Sequence, residues 1–173
     1  MMRRALITCA LVLACGLAQA LPEAARQQAA DWRAHGQGEM RWFGLRLYVA
    51  ELWVRGEAYA PDAPFALKLT YSRDLSGARI VDASVDELRR LGYRDEAQLA
   101  RWREHMAKSF PDVRNGDSIT GVYLPGRGLQ FWFGERLMNE VADPVFARAF
   151  FDIWLDPRTR EPALRERLLG LRG

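Results

Sequence analysis

From Phe65 to Tyr71 apolar and other side chains alternate without a break: Phe65, Leu67, Leu69 and Tyr71, with Ala66, Lys68 and Thr70 between them. A period of two places the first set on one side of an extended chain, so this segment reads as a β-strand with one buried face. Pro61 and Pro64 mark the loop before it. Residues 40–54 are the densest β-like stretch, with Gly44 as a bend or bulge separating Arg41, Trp42 and Phe43 from residues 45–54. Arg46 and Glu51 interrupt that stretch, as one wet face requires. Asn115-Gly116-Asp117 turns the chain into a further strand over residues 118–124. Pro125-Gly126-Arg127-Gly128 then forms a hairpin connection to residues 129–133.

Helical signals fill the remaining segments. Residues 21–35 read as an opening helix: Pro22 and Glu23 start it, Ala24, Ala25, Ala29 and Ala30 favour it, and Gly36-Gln37-Gly38 ends it. Ser84 with Glu87 forms a capping box for a short helix ending near Gly92. Asp95 with Gln98 repeats the device, and Leu99, Trp102, Met106 and Phe110 share one stripe before Pro111. Asp143-Pro144 opens a helix with a broad apolar face, Phe146, Ala149, Phe150, Ile153 and Trp154, which stops at Asp156-Pro157. A last helix turns Leu164 and Leu168 inward and is capped by Gly170. Strands, helices, strands and helices follow one another without regular alternation. That order predicts an α+β fold, an antiparallel sheet with helices packed on one face.

The N-terminus carries an address. Arg3 and Arg4 precede an uncharged apolar run over residues 5–17, and Ala18-Gln19-Ala20 supplies small residues for a peptidase. This is the pattern of a secretory signal. The run falls short of the roughly 20 apolar residues that span a bilayer. Residues 1–20 are therefore expected to be removed on export to the periplasm, with no retained transmembrane segment, leaving residues 21–173 as one domain. A retained anchor is the alternative reading of the same run. Lipid anchoring through Cys15 is a minor alternative, because Leu13 fits that motif poorly. Cys9 and Cys15 both lie in the discarded segment, so the mature chain has no thiol. Removing Arg3 and Arg4 takes the 25 basic residues to 23 against 22 acids, a net charge of +1. The arginines are scattered among acids with no basic stripe, so nucleic acid is not an expected partner.

Familiar chemistries are absent from the pattern. His35 in a polar loop and His105 on the exposed side of its helix read as solvated surface histidines without metal-ligand spacing. There is no G-x-S-x-G elbow, phosphate loop or dinucleotide fingerprint, so neither a metal nor a cofactor is expected. Function must rest on shape together with Arg, Tyr, Thr, Asp or Glu. Arg41 stands out because it sits among bulky apolar neighbours, and its planar guanidinium suits a carboxylate or enolate oxygen. The competing reading has Arg41 facing solvent or pairing with Glu39 or Glu51. Tyr48, Tyr71 and Tyr93 are further candidate hydroxyls. The tryptophans read as core.

Taken in order, the segments form a pattern. Residues 36–41 with 47–54, residues 69–76, residues 143–155 and residues 164–170 resemble chalcone isomerase-like proteins, the closing helices being similar to those of the exported bacterial branch. The resemblance implies an open-faced β-sandwich, a curved antiparallel sheet covered by helices on one face, with a ligand cleft between them. Some members cyclise chalcones to flavanones; others bind fatty acids or have lost catalysis. In both kinds a strand arginine faces the anionic end of the ligand, and the resemblance places Arg41 there. Tyr48 falls roughly where plant enzymes carry a catalytic threonine, though the spacing from the arginine is shorter here. Tyr93 matches a catalytic tyrosine. The expectation is a carrier of a small amphipathic acid, fatty-acid-like, held by Arg41, Tyr48 and Tyr93. An intramolecular lyase using the same three residues is the alternative, and a non-catalytic envelope interaction module is the third reading.

Overall fold

A computed structural model describes residues 20–171 of the protein. Of residues 1–20, read from the sequence as an export signal, all but Ala20 lie outside the described residues, Cys9 and Cys15 among them. Six strands form one sheet: β1 Trp32–Trp42, β2 Leu45–Arg55, β3 Phe65–Tyr71, β4 Ser118–Leu124, β5 Gly128–Phe133 and β6 Arg136–Val141. They lie in sequence order, and every neighbouring pair is antiparallel. The helices are α1 Glu23–Arg26, α2 Gly77–Leu91, α3 Glu96–Ser109, α4 Pro144–Leu155 and α5 Pro162–Leu168. The pair α2 and α3 is inserted between β3 and β4, while α4 and α5 follow β6. All four pack on the same side of the sheet, giving the α+β architecture expected from the order of elements.

Strand parity sets two faces. Ala50, Leu52 and Val54 of β2 and Phe65, Leu67 and Leu69 of β3 point to the helices and share a core with Val85, Leu88, Trp102 and Phe146. Aromatic rings dominate its centre, with Phe131 and Phe150 at 4.9 Å and Phe65 and Phe151 at 4.6 Å between centroids. The opposite face is also covered. Leu21 and Ala25 pack there on Ala66, Val122, Leu124 and Trp132. Strand β3 is consequently buried on both sides, not on one, and even Lys68 is enclosed, its Nζ donating to the Ala20 carbonyl at 3.1 Å.

Several local expectations need correction. The opening helix is four residues long and does not run on to Gly36, and β1 begins at Trp32 after Asp31 turns the chain with φ 63°. Alanine content is a weak prior that tertiary pairing overrides. Gly36 and Gly38 are not a helix stop; they lie in β1 under α5, where a Cβ on Gly36 would meet the Arg167 and Leu168 carbonyl oxygens at 2.3 Å. Ser84 is not a cap. Its hydroxyl donates to the Ile80 carbonyl at 2.8 Å inside α2, and the cap is Ser76, which accepts from the Arg79 amide. The second acceptor comes from a distant residue, Asp112, at 2.9 Å from the Gly77 amide. Strand β6 carried no clear signal. Asp95 and Asp143 do cap α3 and α4 as their sequences predict.

Candidate functional site

Between the helix-facing side of β1–β4 and helices α2 and α4 lies a cleft of about 490 Å³. That is within the size range of small-molecule sites. Leu69, Ile119, Phe110, Phe150 and Ile153 line its apolar interior, and Met40, Trp42 and Leu47 form the side toward the β1–β2 hairpin. A bulge makes that side. Met40 pairs with Tyr48 and Arg41 with Arg46, so Leu47 is the extra residue on β2. A bulge lets two consecutive side chains share a face, and here both Leu47 and Tyr48 line the cleft.

The polar groups come from β2, β3, α2, α4 and the loop after α4. Tyr48 accepts a hydrogen bond from Trp154 Nε1 of α4 at 3.0 Å. Its ring meets that of Tyr71 edge-on at 5.9 Å. Tyr71 is almost fully buried, and its hydroxyl has no hydrogen-bond partner among the described residues. Burial pushes the Tyr48 phenol up to about 12, and Tyr71 is raised further by burial and by Tyr48 beside it. Both phenols therefore stay protonated at neutral pH, with an O–H available to donate to a ligand. Helix α2 contributes Arg79, Ile80, Ala83, Ser84, Asp86 and Glu87. The loop after α4 adds Thr159, Arg160 and Glu161. Glu87 is held by Arg90 at 2.7 Å and by Arg160 at 2.8 Å. Arg79 stands exposed at the rim with no side-chain hydrogen bond or ion pair among the described residues.

Of the three residues singled out from sequence, only Tyr48 lines this cleft. Arg41 points the other way. Its guanidinium binds Glu39 at 2.6 Å and the Gly44 carbonyl at 3.1 Å, with more than half of the side chain exposed. Gly36, Gly38 and Met40 face the helices, so Gln37, Glu39 and Arg41 face outward by strict alternation. Tyr93 lies between α2 and α3, against Trp102 at 5.2 Å, and donates to Asp152 at 3.3 Å. It is a packing tyrosine outside the cleft. The histidines are also less solvated than expected: His35 lies in β1 with Nε2 at 3.3 Å from the Leu169 carbonyl, and His105 packs on Phe146. Among the described residues no three His, Asp or Glu side chains cluster as metal ligands would. Arg79 and Arg160 went unnoticed. Once α2 starts at Gly77, residues 79, 80, 83, 84 and 87 fall on one stripe by helical spacing, which is the signal that would have found Arg79.

A sequence model of the chalcone isomerase-like family matches residues 18–170. The chain belongs to that family. Among solved structures, a fatty-acid binding protein of Arabidopsis thaliana superposes with a TM-score of 0.63 at 15% identity, covering 82% of this chain and 88% of that one. The chalcone isomerase-like fold is thus shared at low identity. No curated protein matches the chain. No helix of the described residues is long and apolar enough to cross a membrane.

Proposed function

We propose that this chalcone isomerase-like protein is a carrier that binds a small amphipathic acid of the fatty-acid class in the cleft between the sheet and α2 and α4. The observation that carries this reading is the cleft's composition: apolar walls around two protonated phenols, with an unpaired guanidinium at the rim. The hydrocarbon part lies toward Phe110, Ile119 and Phe150. The carboxylate sits toward the rim, where Arg79 supplies charge and the Tyr71 hydroxyl a hydrogen bond. A charge-assisted contact of this kind contributes about 1.5–3 kcal/mol. Burial of the tail adds roughly 25 cal/mol per Å², before the costs of association. The ligand of the Arabidopsis protein with the same fold supports the choice of class. Arg41, paired on the outer face, has no part in it.

We further propose that the carrier works in the periplasm after removal of residues 1–20, on the strength of the signal pattern alone. N-terminal sequencing of protein recovered from the periplasmic fraction should begin at Leu21; a start at Met1 or Met2 overturns the export reading.

Native mass spectrometry of wild type, Arg79→Gln and Arg41→Gln, each incubated with fatty acids, tests the ligand. Wild type and Arg41→Gln should carry a bound acid, and Arg79→Gln should lose it. A wild type that stays empty overturns the proposal. The lyase is the second reading, favoured by the two neutral phenols facing one cleft, which suit a developing enolate oxygen. Turnover of chalcone to flavanone that is lost in Tyr71→Phe would establish it in place of the carrier.

A further inference from the structure

The β1–β2 hairpin ends in a two-residue turn, Phe43-Gly44, closed by the pair Trp42 and Leu45. Both turn residues have positive φ, 46° and 78°. A tight turn of this hand prefers Asn-Gly or Gly-Gly, and a bulky residue at positive φ is strained. Phenylalanine is therefore a poor choice for the turn itself. It also gains little from folding: Phe43 is 89% exposed, and its one ring contact among the described residues is with Trp42, edge-on at 5.1 Å. Trp42 and Leu45 beside it are each about half exposed, 52% and 53%. Three large apolar side chains thus project together from one tip, while the other exposed ones, Leu137, Val145 and Leu171, are scattered in sequence and on other elements.

Positive charge rings the tip. Arg41 and Arg46 flank it on the hairpin and share a single carboxylate, Glu39, leaving one net charge. The segment after β3 lies alongside, since the Ser72 amide donates to the Leu47 carbonyl at 2.8 Å. It brings Arg73, with Asp74, and then Arg79, and neither arginine forms an ion pair among the described residues. The tip is also continuous with the cleft, because Trp42 lines both.

We infer that this hairpin tip is a docking element for an anionic lipid bilayer, into whose interface Trp42, Phe43 and Leu45 insert. Tryptophan and other apolar side chains ringed by arginine are the composition of an interfacial anchor. A second copy of the chain is disfavoured as occupant. Two positively charged convex tips repel, and three side chains fall well short of the roughly 800 Å² per partner of a stable interface. The inference rests on the tip and the arginines around it and holds whatever the cleft contains. With the tip inserted, the Trp42 side of the cleft would face the bilayer.

Flotation with vesicles of phosphatidylglycerol and phosphatidylethanolamine, against phosphatidylcholine vesicles, tests it on protein purified from cells expressing the full chain. Phe43→Asn is the informative variant, because asparagine suits the turn and preserves the fold. Wild type should bind the anionic vesicles and weaken with salt, and Phe43→Asn should bind about tenfold less well or worse. The emission of Trp42, taken as wild type minus Trp42→Phe, should be quenched by lipids brominated on the acyl chain. Absence of vesicle binding, equal binding by Phe43→Asn, or unquenched Trp42 on bound protein overturns the inference. So does a wild-type dimer on sizing that Phe43→Asn dissolves, which would assign the tip to a second copy.

Discussion

Tyr48 and Tyr71 bring the same hydroxyl to the same cleft under different obligations. The Tyr48 oxygen is the acceptor for Trp154 Nε1, whereas the Tyr71 hydroxyl is uncommitted. Tyr48→Phe should leave the indole N–H without its acceptor and cost about 1–2 kcal/mol in urea denaturation. Tyr71→Phe should leave stability within about 0.5 kcal/mol and weaken fatty-acid binding several-fold, read by titration calorimetry. Burial raises both phenols above their ordinary value near 10. Below pH 10 each is neutral folded or unfolded and stability does not respond. Above pH 10 the unfolded chain ionises first, so stability falls as pH rises toward the folded value. Melting temperatures between pH 8 and 11 should show this decline, and Tyr71→Phe should make it shallower.

At the scale of elements, caps and close approaches separate look-alike sequence signals. Ser84 with Glu87 has the form of a helix start, yet Ser84 is inside α2, and Ser76 holds the first turn together with Asp112. Ser76→Ala should therefore cost about 1 kcal/mol, and Ser84→Ala about 0.5 kcal/mol or less, by chemical denaturation. Gly36 marks where α5 lies directly on β1. A methyl group there meets two backbone carbonyl oxygens, which no side-chain rearrangement relieves. Gly36→Ala should lower stability by about 3 kcal/mol or more, measured the same way. The bulge at Leu47 acts at this scale too, turning two consecutive side chains into the cleft where alternation allows one.

Across the whole molecule, one sheet divides two apolar clusters of unequal size. The larger lies under α2–α5 and includes the cleft walls; the smaller lies under the N-terminal segment, with Leu21 at its centre. Leu21→Ala should cost about 2–4 kcal/mol by cavity formation. Fatty-acid affinity should be unchanged, because the sheet stands between that site and the cleft. Denaturation and calorimetry on the same variant separate the two effects; a matching loss of affinity would mean that the faces are coupled.

Period-two alternation in β3, the Asp95 and Asp143 caps and the aromatic stripes of α3 and α4 were legible in the chain because each depends on residues a few positions apart. With them came the α+β class and the resemblance to chalcone isomerase-like proteins. The outward face of Arg41 was legible too, in the polar series Gln37, Glu39 and Arg41, but the apolar company of Trp42 and Phe43 masked it. Long-range contacts supplied the rest. Asp112 reaching Gly77, Trp154 reaching Tyr48 and α5 lying on Gly36 join residues tens of positions apart. No local spacing encodes such meetings. The cleft is the space left between surfaces that meet only when the sheet and helices pack, so Arg79 at its rim became apparent only there, and only there did Tyr71 and Tyr48 separate from Tyr93 among the candidate hydroxyls.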